Sequence, residues 1–237
     1  MDRNTLITYS LHFNGDYNKI TKAIDAELLL PLKTVDNAIT IFDNEYPLKL
    51  LDLKYPPYVL YYKGDLNLLK DSSIAIVGSR KPSEYAVKAT KGLVEAKNDK
   101  VIISGLAKGI DAVAHLYACK TIGILGCGID YIYPKENYDL IKKVETQGLI
   151  LSEYPGFTKP LGYHFPFRNR LIVALSEVVY VMQSTIKSGT MATVNEALEM
   201  GKEVRVLPYD IFDENGINNN NLIFEGATPI ERKEIAI

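Results

Sequence analysis

Six short apolar runs, the first five of them followed by segments with helical spacing, dominate the sequence from residue 71 onward. The runs are SIAIVGS, KVIISGLAKG, TIGILGCGID, LILSEYP, EVVYVMQS and EVRVLPY. Continuous apolar runs of this length are typical of strands buried on both faces. Strands that alternate with helices form parallel sheets with right-handed crossovers. The pattern therefore predicts a doubly wound α/β fold with a mainly parallel sheet.

The first 42 residues follow a different pattern. NTLITYSLHF and NKITKAIDAELLL are weakly amphipathic and are separated by the turn-like NGDYN, which predicts two short helices. From residue 43, prolines punctuate the chain before YVLYY, a predicted strand closed by KGD. We therefore expect a small N-terminal helical region, residues 1–42, and a larger unit, residues 43–237, that holds the sheet.

Composition excludes several classes of protein. With 47% hydrophobic and 24% charged residues the chain is globular, and no apolar run approaches the ~18 residues of a membrane span. The start lacks the features of a signal peptide, and two cysteines eight residues apart favour a reducing cytoplasm. The net charge of −2 argues against general coating of nucleic acid. Residues 67–120, however, hold nine Lys/Arg against five Asp/Glu, so an anion site is expected in the middle of the chain.

The predicted strand ends VGSR, SGLAKGID, GCGID, SEYP and QSTIKSGT combine glycine with polar or basic residues. In an open parallel sheet, ligands bind beyond the carboxyl ends of the strands. Glycine lets backbone N–H groups approach a ligand, and the next helix adds partial positive charge. We therefore predict a phosphate-binding edge that includes Ser79, Arg80, Ser104, Lys108, Ser188 and Thr190.

Cofactor and metal sites are not expected. No loop matches G-x-G-x-x-G or G-x-x-x-x-G-K-[ST], and His12, His115 and His164 show no metal-ligand spacing. His115 follows Asp111 by four residues, so we expect the two to share a helix face and bond each other in a structural role. Asp111 and Asp130 each follow Gly-Ile and are expected to cap backbone donors.

The segment YHFPFRNR, residues 163–170, crowds aromatic and basic side chains before the apolar run LIVALS. We place it in the loop between the fourth strand and the next helix. Arginine chelates phosphate, asparagine can bond phosphate or a base edge, and an exposed phenylalanine offers a face on which a base can stack. Of Phe165 and Phe167, we expect one to face a base and the other the core. The combination indicates a single-stranded nucleic-acid site.

Five blocks of the sequence together resemble the DNA-processing protein A family (DprA, also called Smf). They are IAIVGSR, ISGLAKGIDAVAH, ILGCGIDYIYP, LSEYPGFTKPLGYHFPFRNRLIVALSE and SGTMATVNEAL followed by GKEV. The resemblance extends over about residues 55–230. It implies an extended Rossmann-like fold that protects single-stranded DNA during natural transformation and loads the RecA recombinase. It also implies homodimers and a cytoplasmic protein that is not an enzyme and needs no cofactor.

The resemblance further implies which residues line the DNA site. They are Gly78, Ser79, Arg80, Ser104, Gly105, Lys108, Phe165, Arg168, Asn169, Arg170, Ser188, Gly189 and Thr190. The chain departs from the family in three respects. It has KSGT where many members have paired glycines, its N-terminal region is short, and we expect the usual C-terminal winged-helix-like domain to be absent.

Two alternatives remain open at this point. A phosphoribohydrolase of the lysine-decarboxylase-like family would share the Rossmann core and a PGGxGTxxE helix entry, which SGTMATVNE echoes in part through Gly189, Thr190 and Glu196. Glu196 would then act as a general acid. A degenerate family member that serves as a protein scaffold is disfavoured, because GSR and FPxRNR are both intact.

Overall fold

The computed structural model describes residues 1–185 and 188–236, and within them one nine-stranded sheet forms the centre of the molecule. In chain order the strands are β1 Ala38–Thr40, β2 Val59–Gly64, β3 Ser73–Gly78, β4 Val101–Ser104, β5 Lys120–Ile124, β6 Leu149–Ser152, β7 Val178–Gln183, β8 Glu203–Val206 and β9 Thr228–Pro229. Their spatial order is β1-β2-β6-β5-β4-β3-β7-β8-β9.

The strands from β6 to β9 in that order run parallel, and β2 is antiparallel to both β1 and β6. The chain builds the sheet outward from β3 through β4 and β5 to β6, and then returns to the other side of β3 as β7. This reversal makes the β3–β7 boundary the topological switch point, where a crevice opens beyond the strand ends. The doubly wound, mainly parallel α/β fold is confirmed.

Eight helices cover the sheet in the described part of the chain. They are α1 Arg3–His12, α2 Tyr17–Asp25, α3 Glu84–Ala96, α4 Ile110–Tyr117, α5 Tyr138–Gln147, α6 His164–Leu175, α7 Gly189–Glu199 and α8 Ile217–Phe224. Alternate residues of β3 separate two cores. Ala75 and Val77 pack with α6 and α7, whereas Ile74 and Ile76 pack with α3 and α4 on the opposite face. None of these helices is long and apolar enough to cross a membrane.

Helix α6 differs from the sequence prediction. We placed YHFPFRNR in a loop, but the helix begins at His164 and contains nearly all of that segment. Pro166 is compatible with this start because the first N–H groups of a helix need no intrahelical acceptor. The basic and aromatic side chains are therefore fixed on a helix at the carboxyl edge of the sheet.

The N-terminal region joins the sheet directly. Strand β1, inside residues 1–42, pairs with β2 and was not predicted, and neither was the short β9. The two predicted N-terminal helices are present as α1 and α2. Leu6 and Ile7 of α1 pack against Val59 and Tyr61 of β2, so this region shares a core with the sheet's edge.

Candidate functional site

A cavity of about 580 Å³ lies beyond the carboxyl ends of β3 and β7, at the switch point of the sheet. Four segments bring polar residues to it: the β3–α3 loop, the first turn of α4, the first turns of α6, and the start of α7. The lining residues are Val77, Gly78, Ser79, Arg80, Ala107, Asp111, Gly162, Phe165, Pro166, Arg168, Asn169, Ile172, Ser188, Gly189, Thr190 and Thr193. This feature is called the switch-point cavity below.

Arg80 and Phe165 form the outer wall of the cavity. Arg80 is exposed, and its guanidinium carbon lies 5.8 Å from the centre of the half-buried Phe165 ring. Tyr133 supports the same ring at a centroid distance of 5.5 Å. A guanidinium over an aromatic face is held by the ring and keeps its charge, so it can still bind an anion. Of the two phenylalanines left open by the sequence, Phe165 faces the cavity.

Arg168 lies at the bottom of the cavity and is only 5% exposed. Its Nη1 donates hydrogen bonds to the carbonyl oxygens of Gly105, at 2.9 Å, and of Ile124. A side chain at Gly105 would collide with the guanidinium, since a Cβ there would lie 2.5 Å from both terminal nitrogens. Burial lowers the pKa of Arg168 to about 10, so the side chain remains charged at neutral pH. Within the described residues its Nε has no hydrogen-bond partner.

Asp111 is the buried carboxylate beside this arginine. Its Oδ2 accepts hydrogen bonds from the backbone N–H groups of Gly105 and Ala107 at 3.1 and 3.3 Å, as the predicted capping role requires. Burial raises the pKa of Asp111, and the positive charge of Arg168 opposes that rise. Asp130, by contrast, pairs with Lys63 at 3.0 Å.

The expected bond between His115 and Asp111 is wrong. His115 Nδ1 lies 2.6 Å from Thr121 Oγ1, and its Nε2 accepts from the Leu106 N–H at 3.4 Å. Because the Thr121 hydroxyl already donates to the Ile102 carbonyl, Nδ1 carries the proton and donates to Thr121. The buried ring is therefore neutral, and burial lowers its pKa to about 3.

Arg170 is not brought into the cavity. Its Nη1 and Nη2 each donate to a carboxylate oxygen of Glu153 at 2.6 Å, and further bonds reach the Tyr55 carbonyl. Phe167 covers this pair, with its ring centre 3.7 Å from the guanidinium carbon. Arg170 and Phe167 thus belong to the opposite side of α6.

The remaining predicted residues divide into three groups. Gly78, Ser79, Asn169, Ser188, Gly189 and Thr190 line the switch-point cavity. Gly105 and Lys108 line a small side cavity that shares Arg80, Phe165 and Arg168 with it, and the exposed Lys108 pairs with Glu136. Ser104 is fully buried and donates to the Ile76 carbonyl, so it supports the strand end from below.

Sequence reasoning missed several lining residues. Ile172 and Thr193 extend the cavity one helical turn beyond Arg168 and Thr190. The three- and four-residue spacing of side chains on one helix face is the signal that could have found them. Glu196, the acid required by the phosphoribohydrolase alternative, lines a different cleft with Lys49 and Lys202, apart from Thr190.

Among residues 1–185 and 188–236, no group of three or more His, Cys, Asp or Glu side chains is placed to hold a metal ion. The two cysteines are free, Cys119 at the surface and Cys127 buried. Residues 186 and 187, part of the predicted segment QSTIKSGT, lie outside the described residues.

The sequence matches the model of a protein family described as DNA recombination-mediator protein A over residues 37–237. It is 40% identical over 195 residues to the DNA processing protein DprA of Streptococcus pneumoniae, covering 80% of this chain and 69% of that protein. It is 41% identical over 201 residues to the DNA processing protein DprA of Bacillus subtilis, covering 82% and 68% of the two chains.

Two solved structures share the fold. The DNA processing protein A of Streptococcus pneumoniae superposes with a TM-score of 0.79 at 33% identity, over 96% of this chain and 89% of that one. The DNA processing protein A of Helicobacter pylori, described for its single-stranded DNA binding mode, gives a TM-score of 0.75 at 38% identity, over 81% and 90%.

Proposed function

The chain belongs to the DNA recombination-mediator protein A family, and we propose that it binds single-stranded DNA in the switch-point cavity. The observation that carries this proposal is the meeting of Arg80, Phe165 and Arg168 in one cavity. An exposed cation, an aromatic face and a buried cation match the phosphate and base of a nucleotide. The Helicobacter pylori relative, described for its single-stranded DNA binding mode, supports single-stranded DNA as the ligand.

The parts of the cavity have distinct roles in this proposal. Arg80 is positioned at the opening to neutralise a phosphate, and Phe165 offers a face for base stacking, worth about 1–3 kcal/mol per base. The first turn of α7 adds backbone N–H groups at Gly189 and Thr190 that lack intrahelical acceptors. None of these contacts reads a base edge, so we expect little sequence preference and a marked dependence on salt.

The test compares two neighbouring cations. Arg80→Ala should weaken binding of a short oligothymidine at least tenfold, because it removes both a phosphate contact and the cation beside Phe165. Lys81→Ala, which removes an exposed charge outside the cavity, should change affinity about twofold or less. Fluorescence anisotropy at two salt concentrations measures both. Equal affinity of Arg80→Ala and the parent protein would show that the switch-point cavity is not the DNA site.

We propose that binding leaves the strand intact and that the bound DNA is protected and passed to the RecA recombinase in the cytoplasm. The resemblance of the chain to DprA supports this role. The expected result is faster RecA assembly on DNA coated with a competing single-strand binding protein. Unchanged assembly rates, or recovery of shortened oligonucleotide, would contradict it.

We also propose that the protein forms a homodimer through an apolar face near α8. Ile211, Phe212 and Phe224 are 77%, 91% and 86% exposed, and Ile217 lies seven residues before Phe224 on the same helix. Exposed apolar clusters of this kind are typical of protein interfaces. Light scattering should give twice the chain mass, and Phe212→Ser/Phe224→Ser should halve it. A parent protein that is monomeric at micromolar concentration contradicts the proposal.

A further inference from the structure

A second groove, of about 680 Å³, lies on the other side of the first turn of α6. One wall is the turn between α1 and α2, and the other is the segment from β6 to α6. Aromatic rings dominate it, namely Phe13, Tyr17, Tyr154, Tyr163, His164 and Phe167, accompanied by Lys19 and Lys159. We call this the lateral groove. It lies outside the switch-point cavity.

The segment that enters α6 exposes several side chains along this groove and beside it. Phe157, Leu161 and Tyr163 are 76%, 46% and 65% exposed, and Lys159 between them is also exposed. Phe157 lines a smaller hollow of about 440 Å³ that shares Thr158, Lys159 and Asn14 with the lateral groove. Two exposed aromatic rings, Phe157 and Tyr163, on either side of a lysine in the sequence fit stacked bases with a phosphate between them.

The floor of the groove is formed by stacked rings. The His164 ring stacks on Tyr154 at a centroid distance of 3.9 Å, and burial lowers the pKa of His164, which favours the neutral ring. Gly15 brings the α1–α2 turn against the backbone of Glu153 and Tyr154, in a conformation with φ of 75° that favours glycine.

The charge of the groove favours an anion. Lys159 makes no ion pair within residues 1–185 and 188–236, whereas Lys19 lies 3.7 Å from Asp16. The cation available to a ligand is therefore Lys159, which lies between Phe157 and Tyr163 in the sequence. A nucleic acid strand is a better occupant than an acidic side chain, because its bases would also stack on these rings.

The lateral groove and the switch-point cavity meet at the start of α6. Gly162, Phe165 and Pro166 face the cavity, whereas Leu161, Tyr163 and His164 face the groove. A Cβ at Gly162 would meet no atom within 4 Å, so the surface beside this residue is open. A helix is about 10–12 Å across with its side chains, a distance that a few nucleotides can span.

We propose that the lateral groove and the adjoining hollow hold the continuation of the DNA strand that leaves the switch-point cavity, with bases on Tyr163 and Phe157 and a phosphate at Lys159. This inference rests on the proposed function, since it needs a strand in the cavity. It assigns to the entry segment of α6 a second set of contacts that only a longer strand can reach.

The experiment compares oligothymidines of about 5 and about 15 nucleotides, lengths within the range that single-strand binding folds occupy. Tyr163→Ala/Lys159→Ala should weaken the longer strand about tenfold and leave the shorter one within about twofold. For the longer strand, the slope of log affinity against log salt concentration should be smaller for this variant by about one released counterion. The control Tyr138→Ala/Lys88→Ala, which removes an exposed ring and an exposed cation elsewhere, should change neither length.

The outcomes separate the two proposals. Arg80→Ala should weaken both lengths, and if it weakens neither, the switch-point site fails. In a second outcome, Arg80→Ala weakens both lengths while Tyr163→Ala/Lys159→Ala binds both lengths as the parent does. The switch-point site then stands and the lateral groove proposal is overturned. A groove that binds a protein instead would give this result. An equal loss for both lengths would also overturn it, because the groove would then belong to the primary contact. All variants change exposed side chains, and unchanged melting temperatures confirm their folding.

Discussion

At the scale of single residues, Arg168 and Arg170 show how two neighbouring arginines of α6 come to different uses. Two positions along an α-helix are about 200° apart, so the side chains leave opposite sides. Arg168 is held by carbonyl oxygens under the switch-point cavity, whereas Arg170 forms a two-bond pair with Glu153. The same rotation separates Phe165 from Phe167. One helix therefore provides a binding wall on one side and a structural clamp on the other.

The pair of Arg170 and Glu153 should matter for stability. Both side chains are more than nine-tenths buried, so Arg170→Ala leaves a carboxylate buried without a partner, at a cost of about 3–5 kcal/mol. Lys91→Ala, which breaks the exposed pair with Glu95, should cost less than about 1 kcal/mol. Urea unfolding measures both.

The DNA affinity of a folded Glu153→Ala/Arg170→Ala variant tests the remaining sequence prediction for Arg170. Affinity equal to that of the parent assigns the arginine to stability alone. A loss as large as that of Arg80→Ala would return Arg170 to the DNA site.

His115 should make stability dependent on pH. The pKa of the ring is lowered to about 3 in the folded protein, against about 6.5 when unfolded. The unfolded chain therefore binds one more proton between these values. The stability that the neutral His115 ring allows is fully present above pH 6.5. It is lost as the pH falls, by about 1.4 kcal/mol per pH unit.

Replacing the ring by an amide isolates this effect. The raised pKa of Asp111 acts in the opposite direction, but it is common to the parent and to His115→Gln. Between pH 6.5 and 5 the free energy of unfolding of His115→Gln should therefore fall less steeply, by one proton. Identical slopes would show that His115 is charged in the folded protein.

At the scale of elements, four consecutive asparagines in the first half of α8 connect this helix to the sheet. Asn218 and Asn219 in α8 are buried, and Asn219 accepts from the Ser184 N–H at 2.8 Å and donates to the Leu207 carbonyl at 3.0 Å. Asn220 exchanges two bonds with the Tyr209 backbone. Helix α8 therefore joins the ends of β7 and β8 through amide groups.

Substitution within this run should have unequal effects. Asn219→Ala leaves the Ser184 N–H and the carbonyl of Leu207 without partners. Each buried group left without a hydrogen bond costs about 1–3 kcal/mol. Asn221→Ala, at an exposed position of the same helix, should change stability by about 0.5 kcal/mol or less. Thermal unfolding compares them, and equal melting temperatures would contradict the network.

These elements also show where sequence patterns lose information. The buried strands β3 to β8 were predictable because uninterrupted apolar runs have few other uses. The asparagine run carries no apolar period, so its helix depends on partners more than 10 positions away in the chain. The start of α6 was hidden because proline and crowded arginines resemble a loop. The strand-end residues that line the cavity were predictable because the strands were. The direction of Arg170 was not, because it depends on where α6 begins.

At the scale of the whole molecule, the N-terminal region completes the edge of the sheet. Strand β1 pairs with β2, and Tyr61 of β2 donates to Ser10 of α1 at 2.9 Å. A chain that begins at residue 43 would expose Val59 and Tyr61 and leave β2 with an unpaired edge. Such edges promote association between chains.

A shortened chain tests this view and the boundary predicted at residue 42. Residues 43–237 alone should melt at a lower temperature than the full chain and aggregate at lower concentration, as calorimetry and light scattering would show. A shortened chain as stable and as soluble as the parent would establish residues 43–237 as an independent domain.

The different burial of Arg80 and Arg168 also has a consequence in time. Charges at the rim of a site mainly set how fast a charged partner arrives, whereas buried charged groups mainly set how long it stays. In the proposed site, Arg80 would therefore govern capture of a passing strand, and Arg168, fixed before the strand arrives, would govern its residence. A strand held this way is gathered quickly at low salt and released slowly.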